Sequence, residues 1–294
     1  MIIGIGGVNI DFKYTLQTNQ LNSSNEATFK QSFGGVMRNV LENLGKLNQD
    51  VYLVSFVGQD ALGEAVLDYS KKYMNISLVK KTNKQTGTYV ALSYQNDLVI
   101  GASSVDLAFS LDYLKSIEKT LIKASMLLFD SNLDAQSIAY LINLGNTYNI
   151  KTVLIGVSVP KMKNVPKDLK GLYLSIHNID EINAYLNTKT DPVSLNKLMK
   201  QKGVKHSIIT HGKSPLSYNT YKIDIKENPN FVDPTGLGDA FSAGVIYGDM
   251  KGYTIEYACV IGMTNAYYKA QSSETVRHDL TEQKLLKEVD SYYD

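Results

Sequence analysis

Apolar positions along the chain follow two periods. Short runs dense in Ile, Val and Leu occur at Ile2–Val8, Val51–Val57, Met126–Phe129, Thr152–Val157, Leu172–Ile176 and Ser207–Thr210. Runs of that length predict strands buried on both faces. Between them, apolar residues recur every three or four positions. Val40, Leu41, Leu44 and Leu47 make one such stripe, and others cover Ala135–Tyr148, Glu181–Leu186, Tyr257–Ala270 and Glu282–Val289. This spacing predicts amphipathic helices. Strands alternating with helices imply an α/β fold whose mostly parallel sheet is covered on both faces. Its ligand crevice is expected at the carboxyl ends of the strands.

Two segments break the rhythm. Phe12 to Lys30 is polar, with Phe12, Tyr14, Leu16 and Leu21 scattered through it, and is too long for a plain loop in a compact domain. In Gln85 to Gly101, Thr86, Thr88, Val90 and Leu92 alternate, Gln95-Asn96-Asp97 marks a turn, and Leu98-Val99-Ile100 returns. That pattern predicts a small sheet, either a lid over a substrate or an ordinary peripheral hairpin. No repeat, linker or low-complexity tract divides the 294 residues. They read as a single domain, 1–294, with lid segments at about 12–30 and 85–101 inserted in it.

Candidate chemistry concentrates in Asp233-Pro234-Thr235-Gly236-Leu237-Gly238-Asp239-Ala240-Phe241, between a predicted strand at Ser217–Ile225 and a helix running to about Met250. Gly236 and Gly238 allow a sharp turn and close approach of a ligand to the backbone. The first-turn N–H groups of the helix then form an anion site. Asp239 is either a helix cap or a base held beside a bound phosphate.

A second cluster lies near the start. Gly6-Gly7-Val8-Asn9-Ile10-Asp11 ends the first strand. A dinucleotide fingerprint fails there, because Asn9 stands where the third glycine belongs and no helix pattern follows. Phe33-Gly34-Gly35-Val36-Met37-Arg38-Asn39 opens a helix, and Gly58-Gln59-Asp60-Ala61-Leu62-Gly63 follows one strand later. Asn39 offers both a donor and an acceptor, which suits vicinal hydroxyls. Arg38 is either a solvated helix charge or a planar fork of donors for a ligand.

Composition narrows the class. Thirty basic and 29 acidic residues give a net charge of +1, so neither nucleic acid nor a membrane surface is an expected partner. Cys259 is the lone cysteine, which excludes an intramolecular disulfide and a cysteine metal cluster. The first residues carry no basic leader, and no apolar run could span a bilayer, so a soluble cytoplasmic protein is expected. His177, His206 and His211 are not at metal-ligand spacing. Gly212-Lys213-Ser214 is not a P-loop, because Ser207 occupies the first glycine position.

Asp233-x-Thr235-Gly236-x-Gly238-Asp239, with Gly34-Gly35, Asn39 and Gly58-x-Asp60-x-x-Gly63 far upstream, resembles the two signatures of the ribokinase-like (PfkB) family of sugar and nucleoside kinases. The resemblance covers nearly the whole chain. It implies a ribokinase-like three-layer sandwich with a small β lid, and ATP-dependent phosphorylation of a hydroxymethyl group with Mg²⁺. On that resemblance Asp239 is the catalytic base and Gly236, Leu237 and Gly238 form the anion hole. Leu237 stands where the family usually has alanine. Asn9, Asp11, Gly34, Gly35, Arg38 and Asn39 are implied on the substrate side. Asn178, Thr210, Gly212 and Thr235 are implied at ATP, and Glu181 reaches the metal through water. Asn178 and Glu181 also read as a helix start with acidic residues in its first turn. Asp233 orients the loop or organises a monovalent cation such as K⁺, as in some members. Pro215 replaces a later glycine of the nucleotide turn. Gly34-Gly35-Val36-x-Arg38-Asn39 resembles the pseudouridine kinase branch, which makes pseudouridine the first candidate acceptor. A free sugar or sugar phosphate, such as ribose or a ketohexose phosphate, is second. A catalytically silent nucleoside- or sugar-binding regulator is the non-kinase alternative. A homodimer formed through the lid is a further expectation.

Overall fold

The computed structural model describes residues 1–95, 97–105 and 110–293; Asn96, in the predicted turn, lies outside them. In chain order the strands and helices are β1 (Ile2–Ile5), β2 (Asn9–Leu16), β3 (Ala27–Gly34), α1 (Val36–Lys46), β4 (Val51–Gly58), α2 (Ala61–Ser70), β5 (Asn75–Thr82), β6 (Gly87–Tyr94) and β7 (Asp97–Ser104). The second part has α3 (Leu111–Ser116), α4 (Glu118–Leu121), β8 (Met126–Asp130), α5 (Ala135–Tyr148), β9 (Lys151–Ile155), β10 (Leu174–Asn178), α6 (Ile179–Leu186), α7 (Pro192–Gln201) and β11 (His206–His211). Last come β12 (Ser214–Tyr218), β13 (Tyr221–Ile223), α8 (Leu237–Met250), α9 (Ile255–Lys269) and α10 (Glu282–Tyr293).

Nine strands form the main sheet in the order β13-β12-β11-β10-β9-β8-β1-β4-β5. From β11 to β5 every neighbouring pair is parallel; β12 and β13 close one edge as an antiparallel hairpin. Successive side chains of a strand point to opposite faces, and here both faces are dry. In β8, Met126 and Leu128 enter one core, and Leu127 and Phe129 the other. The first core is completed by α1, α2, α8, α9 and α10, and the second by α3 to α7. This is the predicted three-layer α/β arrangement. β1 lies between β4 and β8, so the chain reverses its direction across the sheet at β1, and a crevice opens at the carboxyl ends there.

The small sheet has the order β3-β2-β6-β7. It is built from the two segments that broke the helical rhythm, with wider limits than expected. The predicted first strand, Ile2–Val8, is shorter: β1 stops at Ile5, residues 6–8 belong to no strand, and β2 starts at Asn9 and runs out into the small sheet. The predicted strand Ser217–Ile225 is also two strands. They pair at Tyr218 and Tyr221, and Asn219 turns between them with φ 51°, a left-handed geometry that Asn tolerates. α2 to α4, β5 and α7 were not anticipated. α7 was nonetheless legible, since Asp191 caps it and Pro192 opens it.

Candidate active site

Asp239 lies in the first turn of α8, and it is not a cap. Gly236 occupies the N-cap position in a left-handed conformation, with no side-chain capping bond. The Asp239 carboxylate instead accepts a hydrogen bond at 2.6 Å from Asn39 Nδ2, 200 residues earlier in the chain. Burial pushes the Asp239 carboxyl up to about 7; the Asn39 bond and the Arg38 charge oppose the shift, while Asp11 and Asp130 add to it. A carboxylate poised near neutral pH is suited to accept a proton. Beside it the position of a Gly238 Cβ has no neighbour within 4 Å, so the first turn of α8 opens on free space. A Cβ at Gly236 would overlap the Thr275 carbonyl, and its φ of 80° also suits glycine.

Asn39 is held in turn. Its Oδ1 accepts from Arg38 Nη2, which leaves Nδ2 facing Asp239. Arg38 is 1% exposed. Its Nε donates to Gly34 O at 3.1 Å, Nη2 to Phe33 O at 2.7 Å, and Nη1 to Glu42 Oε2 at 2.7 Å. Lys46 at 3.2 Å and the Tyr69 hydroxyl at 2.9 Å complete the surroundings of Glu42. Arg38 is therefore not a solvated helix charge. Four of the five guanidinium N–H bonds point at protein, which makes it a support for Asn39 and for the end of β3.

On β2, Asn9 Nδ2 donates to Asp11 Oδ1. Burial pushes the Asp11 carboxyl up to about 6, against the charges of Lys13 and Arg38 and the Asn9 bond. Gly34 packs directly on this pair; a Cβ there would overlap both side chains. Gly34 thus seats Asn9 and Asp11, while a Cβ at Gly35 would overlap the Gly7 carbonyl.

Period-two alternation places Lys13 on the same face as Asn9 and Asp11. Its Nζ donates to Thr235 Oγ1 at 2.9 Å and lies 3.4 Å from Asp233 Oδ2. Lys13 was not singled out from sequence, although that alternation was a usable signal. Asp233 Oδ1 accepts from Thr235 N at 2.8 Å. Burial would raise this carboxyl, but its bonds from Thr235 and the charges of Lys13 and Lys269 hold it below the ordinary value. Asp130, at the end of β8, was also missed. It is fully buried, accepts from Gly7 N at 3.1 Å and Asn132 N at 3.0 Å, and so fixes the connection between β1 and β2.

The remaining expected residues form a second group. Asn178 and Thr210 pair in register at the ends of β10 and β11. Asn178 and Glu181 make a reciprocal capping box at the start of α6, each bond 2.9 Å long. Burial raises the Glu181 carboxyl, with Asp180 adding and the Asn178 N–H opposing. Gly212 has φ 58° and faces open space. Pro215 lies inside β12, and the turn before it closes with Ser214 opposite His211, after a register shift between Ile209 and His211. His177 is buried and its pKa is pushed down to about 3 by that burial, in keeping with a structural role. Among the described residues no group of three or more His, Cys, Asp or Glu could hold a metal. Glu181 is a hard oxygen donor in the first turn of α6, which fits Mg²⁺ arriving with nucleotide phosphates and held partly through water.

Comparison with known proteins agrees with this geometry. Residues 1–281 match the pfkB family of carbohydrate kinases. The chain is 25% identical over 269 residues to an uncharacterized sugar kinase of Escherichia coli, covering 85% of this chain and 72% of that one. It is 24% identical over 261 residues to the pseudouridine kinase of E. coli, covering 83% and 82%. Arabidopsis thaliana ribokinase, solved with ribose and ATP, superposes with a TM-score of 0.79 over 98% of both chains at 16% identity, a likeness of fold. The chain belongs to the pfkB family of carbohydrate kinases. It is an ATP-dependent kinase of a small-molecule acceptor, and membership implies use of ATP with Mg²⁺. No helix among the described residues is long and apolar enough to cross a membrane.

Proposed function

We propose that the chain is a single kinase domain that transfers the γ-phosphoryl group of ATP to a hydroxymethyl group of a small sugar or nucleoside. Pseudouridine, giving pseudouridine 5′-phosphate, is the first candidate acceptor. The observation that carries the mechanism is the buried Asn39–Asp239 bond beside the open first turn of α8. Asp239 takes the proton of the acceptor hydroxyl; the oxygen bonds to the γ-phosphorus as its bond to the ADP oxygen breaks. Such transfer has a loose transition state, so positioning and charge neutralisation do most of the work. The backbone from Gly236 through Leu237 to Gly238 presents N–H groups to the developing charge. Lys13 adds a positive charge from the lid. Asn9, Asp11, Gly34, Gly35 and Asn39 seat the acceptor, with Arg38 acting through Asn39. Asn178, Thr210, Gly212 and Thr235 line the nucleotide. Glu181 would hold Mg²⁺ through water, and the ion would supply charge neutralisation to the phosphates.

Support for a nucleoside is the similarity to the E. coli pseudouridine kinase together with Gly34-Gly35-Val36-x-Arg38-Asn39. The second reading, a sugar phosphate, is favoured by one feature: Lys13 places an ammonium on the same face as Asn9 and Asp11, where it could meet an acceptor phosphate. A silent binding regulator is disfavoured by the poised Asp239. We place the protein in the cytoplasm, where ATP is available. The small sheet acts as the lid, and its β7 edge, with Leu98 61%, Val99 42% and Ile100 56% exposed, is the surface for a homodimer. The deciding experiment is ADP release, with ³¹P NMR of the product, from pseudouridine, uridine, ribose and fructose 6-phosphate. Turnover of pseudouridine at least tenfold above the others supports the first reading. Preference for fructose 6-phosphate replaces it with the second, and no turnover of any acceptor by folded protein would count against a kinase.

A further inference from the structure

Lys269, the last residue of α9, is fully buried. Burying an ammonium is costly unless its donors are satisfied. Among the described residues its Nζ makes no direct bond to a carboxylate; it donates to two main-chain carbonyls, Asp233 O at 3.0 Å and Ser272 O at 3.2 Å. Asp233 begins the loop that ends in Gly236-Leu237-Gly238. Ser272 lies in the segment packed beneath that loop: Val232 N donates to Ala270 O at 2.7 Å, and Gly236 sits directly on the Thr275 carbonyl. A positive charge thus joins two loops by their carbonyl oxygens, directly behind the anion site. Carbonyl oxygens around a monovalent positive charge are also how proteins hold potassium. The residues around Asp233 do not fit a separate monovalent ion. The Asp233 carbonyl is committed to an ammonium, and its carboxylate is committed to Thr235 N and Lys13. A metal ion on the same oxygens would be repelled by the charge already present.

We infer that Lys269 is a tethered internal cation that organises the phosphate loop, so that this kinase has no requirement for potassium or any other monovalent ion. The inference rests on reading residues 235–238 as the phosphate loop. Lys269 is a positioning residue: it touches neither acceptor nor nucleotide and acts through the carbonyl of Asp233.

The first test uses the wild-type protein with ATP and its best acceptor at constant ionic strength. Rate and Tm are expected to agree within about twofold and about one degree in potassium, sodium and choline chloride. Activation of the wild type by potassium more than threefold over choline would overturn the inference. The second test is Lys269→Ala. Its kcat should fall roughly tenfold or more, with acceptor Kd, measured calorimetrically, changed less than threefold. Potassium or ammonium, but not choline, should restore rate and Tm together. A variant with wild-type kcat in choline would refute the role. If Lys269→Ala does not fold, Lys269→Arg, which keeps a charge on the same carbonyls, should retain activity and remain indifferent to potassium. A separate variant, Gly238→Val, tests the loop itself. Full activity there would remove the phosphate-loop reading while leaving the ion dependence of Tm as an independent measure of Lys269.

Discussion

Asp239 carries a stability cost that its chemistry explains. Its carboxyl titrates near 3.8 when unfolded and is pushed up to about 7 in the fold. Between those values the folded state binds more protons than the unfolded one, so stability falls as pH rises from about 4 to 7 and then levels. Asp11 and Asp130, each raised to about 6 by burial, act in the same direction. Asp239→Asn should therefore lose turnover by about 10²–10⁴-fold and gain thermal stability. The gain should be absent near pH 4 and reach its full size above pH 7. Calorimetric melts at pH 4, 6 and 8 check this; a variant less stable than wild type at pH 8 would contradict the burial argument. Arg38 gives a different signature. Because its donors go to protein, Arg38→Met should depress kcat/KM on every acceptor by a similar factor, through loss of the fixed Asn39 amide. Selective loss on a nucleoside alone would mean that the guanidinium reads the base.

Among the elements, α1, α8 and α9 meet around one polar contact. Asn265 Nδ2 donates to Asn43 Oδ1 at 3.1 Å and to Ala240 O at 2.8 Å, fixing the residue after Asp239 against both neighbouring helices. Asn265→Ala leaves the buried Asn43 Oδ1 without that donor, while Ala240 O keeps its bond within α8. The substitution should cost about 1–3 kcal/mol, read from urea unfolding. The same geometry shows what the sequence could and could not disclose. Glycine spacing and the stripe after Asp239 were enough to place α8 and the turn that opens it. The period of two was enough for the small sheet, though not for its limits, because Asn9 and Gly34 belong to strands and look like turn residues. Lys269 was invisible, since a lysine closing an apolar helix stripe ordinarily reads as a solvated C-terminal charge. Burial of Arg38 had a faint signal in Glu42, four residues on, a spacing that pairs on a helix. The hairpin of β12 and β13 was misread as one strand because Asn219 and Thr220 interrupt a run otherwise suited to pairing.

For the molecule as a whole, the clearest feature without a partner among the described residues is the exposed apolar edge of the small sheet. Edge strands of this kind invite pairing with another chain. Sedimentation should show a dimer, and Val99→Lys with Ile100→Lys should give monomers that keep the melting temperature of the main domain. A wild-type monomer at micromolar concentration would remove the lid from consideration as an interface.

The place of β1 at the middle of the main sheet has a consequence for how the protein is made. Ile2–Ile5 leaves the ribosome before either of its neighbours, and one of them, β8, is synthesised more than a hundred residues later. Until then one side of a wholly apolar strand has unpaired backbone, which is the condition for misassembly between nascent chains. Synthesis halted shortly before Met126 should yield material that aggregates or stays bound to chaperones. Release past Ile155, once β8 and β9 can dock, should yield chains that remain in solution. Translational pausing over that interval would then set the yield of active kinase without altering a single atom of the finished site.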